Sequence, residues 1–414
     1  MTLANRHVLY ISYNGMLDPL GQTQVIPYLR GLSNQGVRFT LLSFERDAAF
    51  TGDGPLRCEE LRRQLAEAGI EWHCLRYHRK PSLPATIYDV VNGVRYGRML
   101  VRRNGIEMVH ARSQIAATIA LGLKKRGGLK MIFDVRGLMA EEYVDAGHWR
   151  AGSIPYRLTK AMESRAFAAA DGIVTLTEKI WPLIRDWKGL RNRDVNHEVV
   201  PCCTDLEVFR YSEEDRARVR TELDLQDRFV LVYSGSVGGW YLADKMADLF
   251  VELIKMKPNS HFLWLTGGPG KLIEDLMSER GIKAGQFSVR TVKPVDVPGY
   301  LCAADVGIAF YKPAFSRLAT SPVKLAEYLA CGLPVIINAG VGDSDDFVAD
   351  QKLGAVVNGF NETEYRRALL EIEDLASAET RNRARQAAER FFDVRRVGVE
   401  RYARLYEKVF TGRS

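Results

Sequence analysis

The stretch Thr320-Ser-Pro-Val-Lys-Leu-Ala-Glu-Tyr-Leu-Ala-Cys-Gly-Leu-Pro-Val-Ile336 reads as a helix followed by a buried strand. Thr320 or Ser321 is placed to cap the helix, and Pro322 suits a first turn that needs no N–H. Leu325, Ala326 and Leu329 form its apolar stripe. Gly332 is placed to end it in the left-handed conformation. Val335-Ile336-Ile337 has the short apolar run of an interior strand. Ser321, Lys324 and Glu327 recur at i, i+3 and i+6 and share one side of the helix. A capped helix N-terminus is an anion site through its free N–H groups and dipole. Lys324 adds a positive charge one turn in, and Glu327 adds an acceptor that could hold a vicinal diol. Phosphate beside ribose is the shape of a nucleotide. The plainer reading of the same spacing is a surface Lys/Glu pair, and the rest of the chain decides between them.

The chain has 414 residues, long enough for two or three domains. Its 46% hydrophobic and 26% charged content fits a soluble globular protein. No apolar run reaches the length of a membrane span, and the first residues read as a strand rather than a signal peptide. The six cysteines have neither zinc-ligand spacing nor a disulfide framework, so the expected location is cytoplasmic. Residues 1–200 carry 29 Lys and Arg against 20 Asp and Glu, and the remainder 29 against 31. The basic half suggests an anionic partner. Arg95, Arg98, Arg102 and Arg103 cluster at one predicted helix end, and Lys124, Lys125 and Arg126 at another. Both clusters could face membrane phosphates at the inner face of a cell membrane, as a peripheral protein. No recognised nucleic-acid motif accompanies them.

Strands are expected at residues 8–12, 39–44, 108–110, 130–134 and 172–176, with helices over 22–35, 56–68, 86–103, 114–126 and 155–170 between them. After a break at 199–209 the alternation restarts, with strands at 229–233, 261–265, 288–292 and 306–310. Such alternation argues for parallel sheets covered on both faces. A final amphipathic helix is expected over about 396–410, with apolar Val399, Tyr402, Leu405 and Val409. The fold class is therefore α/β: two Rossmann-like, doubly wound domains that hold ligand at the carboxyl ends of their strands, in the cleft between them.

Five segments then stand out: Asp18-Pro-Leu-Gly-Gln22, Val200-Pro-Cys-Cys-Thr-Asp-Leu-Glu-Val-Phe209, Tyr233-Ser-Gly-Ser236, Ala304-Asp-Val306 and Glu327-Tyr-Leu-Ala-Cys-Gly-Leu-Pro-Val335. Their combination resembles family 4 of the retaining nucleotide-sugar glycosyltransferases, which have the two-domain GT-B fold. The resemblance implies an acceptor domain over 1–200, a nucleotide-sugar domain over 201–390, and a last helix within 391–414 that crosses back to the first domain. It implies transfer from a nucleoside-diphosphate sugar to a glycan or lipid-linked glycan, in bacterial surface-polysaccharide assembly. The donor is a co-substrate; no cofactor or metal is implied, and proton removal from the acceptor is assigned to the leaving phosphate oxygen. Glu327 matches the second acid of the family's Glu-x7-Glu signature, which binds the ribose hydroxyls. The first acid falls at Ala319 and is missing. The family's Arg and Lys for the diphosphate are also missing, since Ser236-Val-Gly-Gly-Trp-Tyr241 stands after Gly235. Lys324 is the candidate replacement. Gly21 matches the glycine whose backbone approaches the diphosphate.

The expected donor site thus comprises Gly21, Gly235, Ser236, Gly268, Thr320, Ser321, Lys324 and Glu327. Gly235 and Gly268 belong to glycine-rich turns that follow strands. Asp134 and Arg136 follow another strand end, and with Glu141 they form the expected acceptor set. An internal ion pair is the plainer reading of Asp134 and Arg136, and a solvated loop that of Glu141. Catalytic roles are expected for Arg136, Lys324 and Glu327, with leaving-group charge stabilised electrostatically. Two alternatives remain open at this point: a nucleotide-sugar epimerase of the same architecture, and a non-catalytic nucleotide-sugar-binding protein.

Overall fold

A computed structural model describes residues 3–124, 128–375 and 377–412. The chain divides into two units, Met1–Pro201 with Val394–Ser414, and Cys202–Asp393. In the first unit lie β1 (His7–Ser12), β2 (Arg38–Glu45), β3 (Ile70–Arg76), β4 (Met108–Arg112), β5 (Lys130–Asp134), β6 (Gly172–Thr175) and β7 (Asn196–Val199). They form one parallel sheet in the order β3-β2-β1-β4-β5-β6-β7. The second unit holds β8 (Phe229–Ser234), β9 (Ser260–Leu265), β10 (Phe287–Arg290), β11 (Val306–Ala309), β12 (Val335–Asn338) and β13 (Gly354–Val357). These are parallel too, in the order β10-β9-β8-β11-β12-β13. Apolar runs such as Val8-Leu-Tyr-Ile11 and Val230-Leu-Val-Tyr233 are buried throughout, as strands covered on both faces must be. The strand order reverses between β1 and β4, and again between β8 and β11. At such reversals neighbouring loops part and leave a crevice at the carboxyl ends.

Some elements depart from expectation. The helix expected over 22–35 is two, Pro19–Gln24 and Ile26–Asn34, broken at Val25. Pro27 is the second residue of the latter; it has no N–H and clashes with a preceding turn, so it starts a helix rather than continuing one. Residues 139–145 form a helix where a solvated loop was the plainer reading of Glu141. The short strands β7 and β13 had no alternation signal of their own. The last helix begins at Glu400, after a wide turn of π type over Val394–Val399.

That last helix packs within the first unit through buried polar contacts. Tyr402 Oη donates to Asp134 Oδ2 at 2.8 Å. His110 lies between, with Nε2 3.4 Å from Asp134 and Nδ1 2.7 Å from Tyr406 Oη. Burial keeps His110 neutral by lowering its pKa. The ionised Asp134 then accepts from Nε2–H, which leaves Nδ1 to accept from Tyr406. Burial alone would raise the pKa of Asp134, but the Arg136 guanidinium at 3.7 Å and the His110 hydrogen bond outweigh it and hold it at about 2. A depressed carboxyl stabilises the fold above its ordinary pKa, and that contribution is lost as acid protonates it. Between about pH 5 and pH 3 the loss is about 1 kcal/mol. The Asp134→Asn variant should lack this component, measured as a smaller fall in the free energy of urea unfolding over that range. An unchanged pH dependence would remove Asp134 as the acid-sensitive contact.

Candidate active site

The crevice of the second unit opens where β8 and β11 part. β8 ends in Ser234, and Gly235 follows at φ +145° with its N–H bonded to Leu265 O at 2.9 Å. A Cβ there would lie 2.8 Å from Lys324 Nζ. Gly235 is therefore the space that Lys324 occupies. Lys324 projects from the helix Val323–Ala330 and is 6% exposed. Its ammonium sits 3.7 Å from the ring centre of Tyr241, 4.5 Å from that of Tyr233 and 5.6 Å from that of Tyr311. It also donates to Tyr233 Oη at 3.3 Å. Burial lowers its pKa to about 7, with Glu327 working in the opposite sense. The three aromatic faces favour the ammonium form further.

Glu327 is one turn along. Its surface is part exposed, and desolvation raises its carboxyl to about 7 against the pull of Lys324. No side-chain hydrogen bond within the described residues engages it. Gly332 closes the helix at φ +75° as expected. The caps differ: Pro322 occupies the N-cap and no side chain caps the helix. Ser321 Oγ instead accepts from the Cys202 N–H at 3.1 Å, and the Thr320 N–H donates to Arg317 O at 3.0 Å. Ser321 thus ties down the approach to the helix, while the first N–H groups of the helix are left without intrahelical partners. The 3₁₀ turn Phe315–Ala319 precedes it. Ala319, at the position of the missing acid, is buried.

The structure brings together Lys324, Glu327 and Gly235, with Ser236 beside them through its carbonyl, which accepts from Tyr233 Oη at 2.6 Å. Gly268 lies in the next turn, after β9, held by Thr266 Oγ1 at 3.1 Å. The tyrosine box was not anticipated. Tyr233, Tyr241 and Tyr311 are far apart in sequence, and only the end-of-strand positions of Tyr233 and Tyr311 hint at it. Arg317 was missed as well. It is buried, lies 4.1 Å over the Trp240 ring, and exerts its charge on Tyr241.

The first unit corrects the expectation for Asp134 and gives the other expected residues there neighbours within the protein. Asp134 is fully buried and bonded to Tyr402 and His110, so it belongs to the core and is no acceptor ligand. Arg136 packs against it with little exposed surface. Glu141 pairs with Lys160 at 3.0 Å. Gly21 is buried, but a Cβ there would meet Gly15 O at 2.3 Å and Met16 Cα at 2.6 Å. Its close approach is to its own loop. That loop is also held by Glu45, which accepts from the Met16 N–H at 2.6 Å and the Leu17 N–H at 3.3 Å.

Residues 22–225 match the family model of the glycosyl transferase 4-like domain, and residues 215–391 that of the glycosyl transferases group 1. The chain belongs to the family 4 type of glycosyltransferases. A curated relative is the D-inositol 3-phosphate glycosyltransferase of Stackebrandtia nassauensis, 26% identical over 321 residues, which span 75% of this chain and 69% of that protein. Among solved structures, the sucrose-phosphate synthase of Thermosynechococcus elongatus aligns with a TM-score of 0.72 at 15% identity, over 99% of this chain and 100% of that one. The Anabaena protein HepE in complex with UDP-glucose gives 0.67 at 14%, over 98% and 99%. These likenesses establish the GT-B fold of the enzyme.

The fit of Gly235 to Lys324 yields a test. Gly235→Ala forces a Cβ onto the ammonium at a φ that side chains avoid. The expected cost is about 1–3 kcal/mol, read as a lowered midpoint of thermal unfolding, with Lys324 displaced and transferase activity lost. Full activity and unchanged stability in this variant would show that the close packing is not needed.

Proposed function

We propose that this glycosyltransferase moves a sugar from a nucleoside-diphosphate sugar to a hydroxyl of a glycan or lipid-linked glycan, with retention, in surface-polysaccharide assembly. The observation that carries the reading is the Lys324 ammonium, buried at the β8/β11 reversal beside Gly235, with the Glu327 carboxyl, which no side chain among the described residues hydrogen-bonds, one turn away. In this reading Lys324, the N–H groups at the start of its helix, and Arg317 face the diphosphate. Glu327 accepts from the ribose hydroxyls. Departure of the diphosphate leaves an oxocarbenium-like sugar, and the charge developing on the leaving oxygen is met by groups already in place. The leaving oxygen takes the acceptor proton on the face it has just left, which accounts for retention. Ala319 provides no acid to the sugar, so donor selection rests on other groups.

Lys324 and Glu327 both titrate near neutrality, and the sign of each effect follows. Nucleoside diphosphate needs the ammonium, so affinity falls as pH rises through about 7. It needs the carboxylate, so affinity also falls as pH drops below about 7. Binding of UDP, GDP and their sugars, followed by calorimetry, should therefore peak near neutrality for the preferred base. Glu327→Ala should cost roughly 1.5–3 kcal/mol in affinity and remove the acid limb. Lys324→Met should remove the alkaline limb. Activity should persist in EDTA, and products formed without acceptor should exclude epimerised donor. A flat pH profile, with affinity untouched by either substitution, would dismiss the donor site.

Among the described residues no helix is long and apolar enough to cross a membrane. A peripheral attachment at the inner membrane face is supported by the helix Ser82–Asn104. Leu83, Ile87 and Val91 are 58%, 54% and 52% exposed and recur every fourth residue, and the exposed Arg95, Arg98 and Arg102 continue their stripe. Apolar anchors followed by cations along one helix face suit an anionic bilayer. Three of the expected basic residues are also engaged within the protein, since Arg98 donates to Gly122 O at 3.1 Å, Arg103 pairs with Glu71 and Lys124 with Asp171. Lys125 and Arg126 lie outside the described residues. The protein should sediment with anionic vesicles at low salt and not with neutral ones. Leu83→Ser with Ile87→Ser, or Arg95→Gln with Arg102→Gln, should reduce this at unchanged UDP affinity. Equal sedimentation with both vesicle types would return the stripe to an ordinary solvated surface.

A further inference from the structure

A cavity of about 630 Å³ lies in the first unit between the helix Met139–Asp145, the helix Ile154–Ala169 and the turn after Ile180–Arg185. Of the residues expected in the active site, Glu141 alone lines it. Lys160 lines it too. The ammonium bonds Glu163 Oε1, lies 3.0 Å from Glu141 Oε1, and sits 3.3 Å from the ring centre of Trp187. Tyr156 Oη donates to Glu141 Oε1 at 3.4 Å. The Glu141 and Glu163 side chains are only 12% and 4% exposed.

One atom in this arrangement is left over. Glu141 Oε2 is buried and has no hydrogen-bond partner among the described residues. A buried acceptor without a donor keeps its desolvation cost uncompensated. The chemistry narrows what can fill the place. An anion is repelled by the carboxylate oxygen. A metal ion would find only two carboxylates with an ammonium between them. A hydroxyl donor fits, and the volume lies within the range of small-molecule sites. The buried charges are close to balanced: one ammonium, one carboxylate, and Glu163, whose carboxyl is raised by burial to about 7 against the pull of Lys160; Arg165 and Lys188 also line the cavity, with their side chains in solvent. Near-balance favours a neutral ligand with several hydroxyls. The rings of Tyr156 and Trp187 add apolar wall, on which the C–H faces of such a ligand can pack.

We propose that this cavity binds a neutral hexopyranose unit of the acceptor or product glycan, with Glu141 Oε2 accepting one of its hydroxyl protons. The proposal rests on the glycan-acceptor reading above and adds a place where the acceptor is held apart from the reacting hydroxyl. No bond is made or broken there. The test is saturation-transfer difference NMR on the full chain with D-glucose, D-galactose and D-mannose as probes, and UDP titrated into the same samples. At least one sugar should give a saturable signal. Glu141→Gln should weaken it about tenfold, the loss of one charge-assisted hydrogen bond. Gln also loosens the Lys160 contact, so Ala161→Trp is the second variant; it narrows the cavity from a lining position and leaves the ion pairs alone. Both variants should bind UDP as the parent does. Signals from none of the three sugars, or signals that survive both variants, would overturn the proposal. Failure of UDP to bind, with the sugar signal intact, would instead strike the donor reading and leave this cavity assigned.

Discussion

Adjacent parallel strands need a crossover of a dozen or more residues between them. In both units of this chain the crossovers are largely helical and cover the two faces of the sheet. Two consequences follow from that one constraint. The strands must be apolar on both sides, which is why their sequences are short continuous runs rather than alternations. All the carboxyl ends also fall on one edge, so side chains remote in sequence converge where the strand order reverses. Tyr233 at the end of β8, Tyr311 just past β11, and Lys324 on the helix before β12 meet for this reason.

Convergence sets the electrostatics. An ammonium on a solvated helix is a plain surface charge, worth little in any pairing. The same ammonium walled by three tyrosine rings has lost most of its water, so its proton is held loosely enough to titrate near neutrality. Glu327 is shifted in the opposite direction by the same desolvation. Perturbed groups paired in a crevice are a common mark of function. They are also common in structural networks, and the first unit supplies one. Asp134 is pushed down to about 2 by Arg136 and His110, yet its Oδ2 accepts from a tyrosine of the last helix. Shift alone does not separate the two cases. Glu327 keeps part of its surface exposed, whereas Asp134 is fully buried.

Glycines show the same division between local signal and tertiary meaning. Gly21 and Gly235 were both expected in the donor site. Gly21 is needed because its own loop folds back within contact of it. Gly235 is needed because a lysine from a helix about ninety positions away occupies the space of its missing side chain. Neither reason is visible in a dipeptide.

By itself the sequence determined the fold class, the restart of the alternation in the second half, and the helix–strand unit that bears Lys324 and Glu327. These are written in local periodicity, in Pro and Gly at helix boundaries, and in motifs that keep a fixed spacing. It also placed Glu141 among residues of interest, though without the cavity that gives it a role. Only the tertiary structure decided which charged groups face inward. Asp134 and Arg136 follow a strand end as plausibly as any site residue, but whether such a side chain meets a ligand or the protein depends on what packs above it, and that is a helix from the far end of the chain. The cap of the key helix was decided in the same way, because a hydroxyl will take the nearest unpaired N–H, and for Ser321 that belongs to Cys202. The tyrosine box, Arg317 and the Lys160 cavity had no local signal, since each is an encounter between segments that sequence spacing does not encode.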